Sequence, residues 1–238
     1  MRRPIRLPMV ALGSTIGRTG LAAAMAVLLV ANPAAAQAPK EGLPRFAIDL
    51  QAGPVGLPTA EGWIPIVSAD TPVPGRAWGL SGGGNIYLLK LGVMTLGAGA
   101  HLATSRGKGE ALSIVTGSGA TAVTTTTPVV ITQITSILPQ LSMNFGHKLG
   151  WSYLSAGYGR TKVSSSKSAV GEVPGTVVPA AWNPALNFGG GAKWFMKPHL
   201  GASFDVRFTK LSSRAATAAL PSAKRTQMVT MSVGVSIQ

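Results

Sequence analysis

The mean hydropathy is +0.31 over 238 residues of which only 12% are charged, yet no long apolar run follows the first forty residues, so a β-barrel or a processed precursor is left and a bundle of spanning helices is excluded. The chain has no cysteine, which excludes disulfides and thiolate chemistry. The excess of 21 basic over seven acidic residues is spread along the chain rather than gathered into one patch, so nucleic acid is not the expected partner.

Residues 1–36 read as a secretory signal peptide that is removed before folding. Arg2, Arg3, Arg6 and Arg18 form a basic region, Leu21 to Ala31 an apolar one, and Ala34-Ala35-Ala36 a small-residue cleavage site. Taking those four arginines from the 21 basic residues leaves 17 against seven acidic ones, so the mature chain carries about +10. Residues 37–44 form a short lead. The remainder, 45–238, is read as one domain.

In that domain the dominant signal is a period of two, the signature of strands with two unlike faces. In the first strand Phe46, Ile48, Leu50 and Ala52 alternate with Ala47, Asp49, Gln51 and Gly53. A proline-rich loop over 57–74 follows, then a second strand with Trp78, Leu80 and Ile86 on one parity and Ser81, Asn85 and Tyr87 on the other. After a turn near Gly92, a third strand sets Leu96, Ala98 and Leu102 against Gly97, Gly99 and His101. Residues 106–132 form the longest loop. The fourth strand places Ile137, Leu141, Met143 and Phe145 opposite Gln140, Ser142 and Asn144; Pro139 removes a ladder donor, so a bulge or an end to pairing is expected there. A turn over 146–150 leads to a fifth strand with Leu154, Ala156 and Tyr158 against Ser155, Gly157 and Thr161. Trp151 and Tyr153 share the polar parity and read as aromatics at or below the rim, with a bulge that resets the register as a further option.

Loops over 164–184 and 212–224 frame the sixth and seventh strands, which form a hairpin about Lys197-Pro198-His199. Phe188, Ala192 and Trp194 share a parity against Gly189, Gly191 and Lys193, and Leu200, Phe204, Val206 and Phe208 alternate with Ser203, Asp205, Arg207 and Thr209. The last strand sets Val229, Met231, Val233 and Val235 against Thr230, Ser232, Gly234 and Ser236. A polar face of glycine and serine with a few charges is too sparse for an ordinary solvent face. It fits a narrow lumen, with the apolar face in lipid.

Eight strands with short turns and long loops in alternation are the layout of a bacterial outer-membrane barrel. The stretch GGGAKWFMKPHLGASFDVRFTKL resembles the third periplasmic hairpin of the OmpA-like and OmpX-like outer-membrane β-barrel family, with its glycine run, basic residue among aromatics, proline turn and alternating Asp and Arg. The resemblance implies an all-β fold, a single eight-stranded antiparallel up-and-down transmembrane β-barrel, located in the cell outer membrane of a Gram-negative cell and inserted as a monomer by the outer-membrane machinery. It implies a structural or surface-interaction role through four loops, and no enzyme. The family's terminal aromatic is replaced by Ile237-Gln238. A small channel and a soluble periplasmic barrel for an apolar ligand are the rival readings.

Candidate site residues are few. Asp49, Lys193, Asp205 and Arg207 have lumen parity and are expected to form a closed salt-bridge network, since eight strands enclose just enough room for side chains. Arg160, Lys162, Lys210 and Arg214, among other basic residues at the loop ends, are expected to form a rim that holds lipopolysaccharide phosphates. The three histidines lack metal-ligand spacing, so no metal and no cofactor is expected. No histidine is followed two residues later by serine, as in the lipid A deacylases. His199, Ser203 and Asp205 are strung along about 20 Å of strand and cannot converge as a triad. Trp78, Tyr158, Phe204 and Phe208 toward the loops, and Phe46, Phe145, Trp194 and Phe195 toward the turns, read as two interfacial girdles.

Overall fold

The computed structural model describes residues 42–58, 62–64, 73–111, 113–116, 123–168, 177–178 and 180–238. The proposed signal peptide lies outside them. Ten strands follow in order: β1 Phe46–Gly56, β2 Arg76–Leu91, β3 Met94–Lys108, β4 Ser113–Thr116, β5 Val123–Thr126, β6 Val130–His147, β7 Gly150–Lys167, β8 Trp182–Lys197, β9 Leu200–Leu211 and β10 Thr226–Ile237. Eight of them close into a barrel in the order β1-β10-β9-β8-β7-β6-β3-β2, every pair antiparallel, while β4 and β5 pair only with each other. The period of two predicts this closed up-and-down barrel.

The two faces separate as the alternation requires. Leu50, Leu80, Leu102, Leu141, Leu154, Leu186, Leu200 and Val233, one from each barrel strand, are exposed on the outer face. Asp49, Gln51, Ser81, Asn85, Gln140, Asn144, Lys193 and Arg207 are buried within. Four of the long polar side chains meet a glycine across the ladder: Asp49 faces Gly83, Asp205 faces Gly191, Arg207 faces Gly189, and Gln140 faces Gly99 and Gly157. A methyl group at Gly189 would stand 3.0 Å from Arg207 Cγ, so the glycine runs are the room that the charges occupy.

Several expectations are corrected. The loop-end boundaries fall short of the strands: β3 runs to Lys108, β6 begins at Val130, β7 continues to Lys167 and β8 begins at Trp182, with the β4–β5 hairpin inside the longest loop. There the outer face is polar (Gln133, Thr135, Ser164), so apolar alternation no longer marks the strand. Of the two outcomes expected at Pro139, no bulge forms, and the pairing with β7 lapses only locally. The β6–β7 ladder lacks partners at Leu138 and Pro139 but resumes in the same register, Ile137 with Arg160 and Gln140 with Gly157. Gly157 and Gly159 allow this, because a Cβ on either would strike the carbonyls of Pro139 or Ile137. Nor is there a bulge at Trp151, which pairs with Gly146 in the common register. Register shifts occur instead at Tyr87/Leu89 and Phe195/Lys197, both beside turns.

Candidate functional site

The barrel interior holds two ion pairs. Lys193 Nζ lies 2.5 Å from Asp49 Oδ2, and the Ser236 hydroxyl donates to the other oxygen of that carboxylate. Arg207 approaches Asp205 with Nε at 2.8 Å and a second nitrogen donating at 3.0 Å, while the Tyr153 hydroxyl donates to the same carboxylate. The remaining guanidinium nitrogen of Arg207 donates to Gln140 Oε1 at 2.8 Å and Asn187 Oδ1 at 2.9 Å. Gln140 in turn donates to Asn85 and Asn187 to Thr209. Beside this, Gln51 links Ser203 and Ser232. Two acids against two bases leave these pairs neutral, and the extra hydrogen bonds offset a desolvation penalty that a bare buried pair would not recover.

Both ends of the interior are closed by apolar groups. At the turn end Trp151 stacks on Phe195 with centroids 5.1 Å apart and meets Tyr87 edge-on; Ala47 and Tyr153 complete the cluster. Lys193 Nζ sits 5.8 Å from the Trp151 ring and 5.4 Å from that of Tyr153, so its ammonium is held by aromatic faces as well as by Asp49. Phe195 therefore belongs to this inner plug and not to an outer girdle, and Phe204, opposite Val233, sits midway along the apolar run rather than at the loop end.

At the loop end the interior is no longer charged, and an apolar cluster stands among the buried hydroxyls of Thr132, Ser136, Thr161 and Ser165. Val55, Ala77, Val130, Ile134, Leu138, Val163, Leu211 and Met228 all point inward and form one apolar cluster, topped by Leu57, Trp63 and Ile64. Trp63 is buried and donates its indole N–H to the Lys224 carbonyl at 2.6 Å. Gly62, at φ +86°, makes the turn that brings it there, where a Cβ would strike the Ser222 carbonyl. Between this cap and the charged pairs remains a cavity of about 30 Å³ whose lining includes His101, Arg207, Ser81 and Ser136, room for about two waters.

The four rim residues do not lie together. Arg160, Lys162 and Lys210 point outward from β7 and β9. Arg214 folds into the cap, its guanidinium 5.3 Å from the Trp63 ring and donating to the Gly62 carbonyl at 3.0 Å; burial there pulls its pKa down from the ordinary value. His199 contacts Gln238, Ser203 accepts from Gln51, and Asp205 holds Arg207 and Tyr153, so those three side chains have separate partners. Among the described residues no group of three metal-ligating side chains is brought together. Tyr153, Gln140 and Asn187 were not singled out from the sequence; their lumen parity beside glycines was the available signal.

No family model matches the chain, and no curated protein matches it. Solved structures of similar shape include Neisserial surface protein A, at 12% identity over 83% of this chain and 99% of that one with a TM-score of 0.47. Ail, the attachment invasion locus protein of Yersinia pestis, in complex with the heparin analogue sucrose octasulfate, shares 11% identity over 82% and 99% of the two chains, TM-score 0.45. The outer membrane protease OmpT from Escherichia coli shares 7% over 81% and 96%, TM-score 0.45. At such identities and scores, what those proteins bind or cleave is a property of theirs alone.

Proposed function

We propose that this chain is an integral outer-membrane β-barrel of the OmpA-like kind, closed to conduction and without catalysis, which presents its loop end at the cell surface as a structural or surface-interaction element. The observation that carries this reading is the apolar outer belt around the full circumference. Leu80, Leu141, Leu186 and Val233, on β2, β6, β8 and β10 and so on four different sides of the closed barrel, are 59%, 69%, 45% and 63% exposed. A protein partner covers a patch; only lipid covers a ring. On β10 the belt runs from Val229 to Ile237, and a nine-residue strand is what a tilted crossing of the hydrocarbon layer needs. The filled charge network and the plugs at either end support a closed interior over a channel.

Single cysteines at positions 232 and 233 test the reading in reconstituted vesicles. A spin label at 233 is expected to be relaxed by lipid-phase quenchers and one at 232 to be shielded from them. Equal lipid exposure at the two positions overturns the assignment of faces. Val233→Arg is expected to cost about 2–4 kcal/mol of barrel stability near the bilayer centre, measured by urea unfolding in vesicles. Release of the native protein from membranes by alkaline carbonate would favour the soluble alternative, and steady conductance in planar bilayers the channel.

A further inference from the structure

We infer that the outer wall formed by β6, β7 and β8, with Lys210 of β9 at its side, is a binding site for a phosphorylated acyl glycolipid of the outer leaflet. Arg160, Lys162 and Lys210 hold its phosphates and the groove beside Pro139 takes an acyl chain. The inference rests on the outer-membrane reading and narrows it to one wall of the barrel.

Three observations converge there. The first is a groove lined by Ile137, Pro139, Gly159, Arg160 and Trp182. It lies where the β6–β7 ladder has no partners at Leu138 and Pro139, and the short proline ring leaves space between the larger Ile137 and Leu141 on the same face. The second is the height of the charges. Arg160 stands opposite Ile137 on β6 and Pro184 on β8, Lys162 opposite Trp182, and Lys210 opposite Leu186. Going toward the loops, the outer face changes at this level from Leu141 and Ile137 to Thr135 and Gln133, which is where lipid phosphates meet the hydrocarbon layer. With about 3.3 Å of rise per residue and about 4.8 Å between strands, the Cα atoms of Arg160 and Lys210 are roughly 12 Å apart, within reach of long side chains closing on one anionic headgroup. Lys210 Nζ already leans 5.3 Å over the Phe188 ring.

The third observation is that no described acidic side chain stands at this level of the wall. Among the described residues the acidic side chains are Asp49, Asp205 and Glu110; the first two are committed inside the barrel, and Glu110 lies beyond the level of Val130, about 23 Å of strand from Ile137. The wall is thus a cationic cluster above an apolar groove, complementary to a lipid with phosphates above acyl chains. Arginine and lysine bind phosphate by charge-assisted hydrogen bonds that strengthen as water is excluded.

The test uses the folded protein in neutral phosphatidylcholine vesicles titrated with bisphosphorylated lipid A, its dephosphorylated form, and phosphatidylglycerol. The wild type is expected to prefer bisphosphorylated lipid A by about tenfold, with the preference shrinking as salt rises. R160Q/K162Q/K210Q is expected to abolish that preference, whereas R76Q/R106Q/K108Q, on the β2–β3 wall, keeps it. Pro139→Phe, which fills the groove, is expected to weaken both forms of lipid A without changing the salt dependence. The inference is overturned if the first triple variant keeps the preference, if both triple variants lose it equally, or if phosphatidylglycerol binds as tightly as lipid A. Retention of every variant in the bilayer after carbonate washing separates these outcomes from failure of the outer-membrane reading, which would show as release of the wild type itself.

Discussion

Asp205 is held by the Arg207 guanidinium and by the Tyr153 hydroxyl, and Asp49 by Lys193 and the Ser236 hydroxyl. Each carboxylate has one cation and one neutral donor, the arrangement that lets a buried charge persist without water. Removing a single member leaves its partner charged, buried and without its counter-ion. Asp205→Asn or Arg207→Met alone is expected to cost about 3–5 kcal/mol, and the double variant clearly less than the sum. Urea unfolding of the four proteins in vesicles measures the coupling; strictly additive losses would mean that the contact contributes nothing. The same cycle on Asp49 and Lys193 has a second component, because Lys193 also rests against the Trp151 and Tyr153 rings and keeps those partners when Asp49 is neutralised, so Asp49→Asn is expected to cost less than Lys193→Met.

Among the elements, the β6–β7 pair shows how a strand tolerates a proline. Pro139 has no N–H to give, and an interior ladder position would normally bulge or stop there. Gly157 and Gly159 let β7 close directly on the carbonyls of β6, so the register passes through unbroken. The glycines, not the proline, are therefore the constrained residues. Pro139→Ala is expected to leave stability within about 1 kcal/mol of the wild type, while Gly159→Ala, whose methyl group would collide with the Ile137 carbonyl, lowers folded yield sharply. Heat-modifiable mobility on gels after refolding reads both; a tolerated alanine at 159 would contradict the close approach.

For the whole molecule, the barrel has two regimes along its axis. In the turn-end part the outer face is apolar and the interior charged, while toward the loops the interior is uncharged, with an apolar cluster under Trp63, and the outer face carries Gln133, Thr135 and Ser164. The second regime has the outer face of a barrel standing in water, and it begins where the apolar belt ends. Two outward positions on β6 separate the regimes. A label at Thr135→Cys is expected to be quenched from water and one at Leu141→Cys from lipid, although both have the same parity. If both report lipid, the upper barrel is submerged and the polarity boundary has been misplaced.

Alternation along the chain was enough to determine the number of barrel strands and the lumen parity of Asp49, Lys193, Asp205 and Arg207, because side-chain direction in a strand is a local property with period two. The partner of each charge depends on ladder register and on closure between β1 and β10, which join residues nearly two hundred positions apart, so local pattern does not contain it. The loop-end segments of the strands escaped detection because their outer face is no longer apolar. Trp63 came from a proline-rich loop with no periodicity, and its place in the cap is decided by the Lys224 carbonyl and Arg214 across the barrel mouth. Arg214 reads the same as Arg160 in sequence; one turns over an indole and the other out from the wall because the loop fold, not the residue type, sets what each guanidinium can reach.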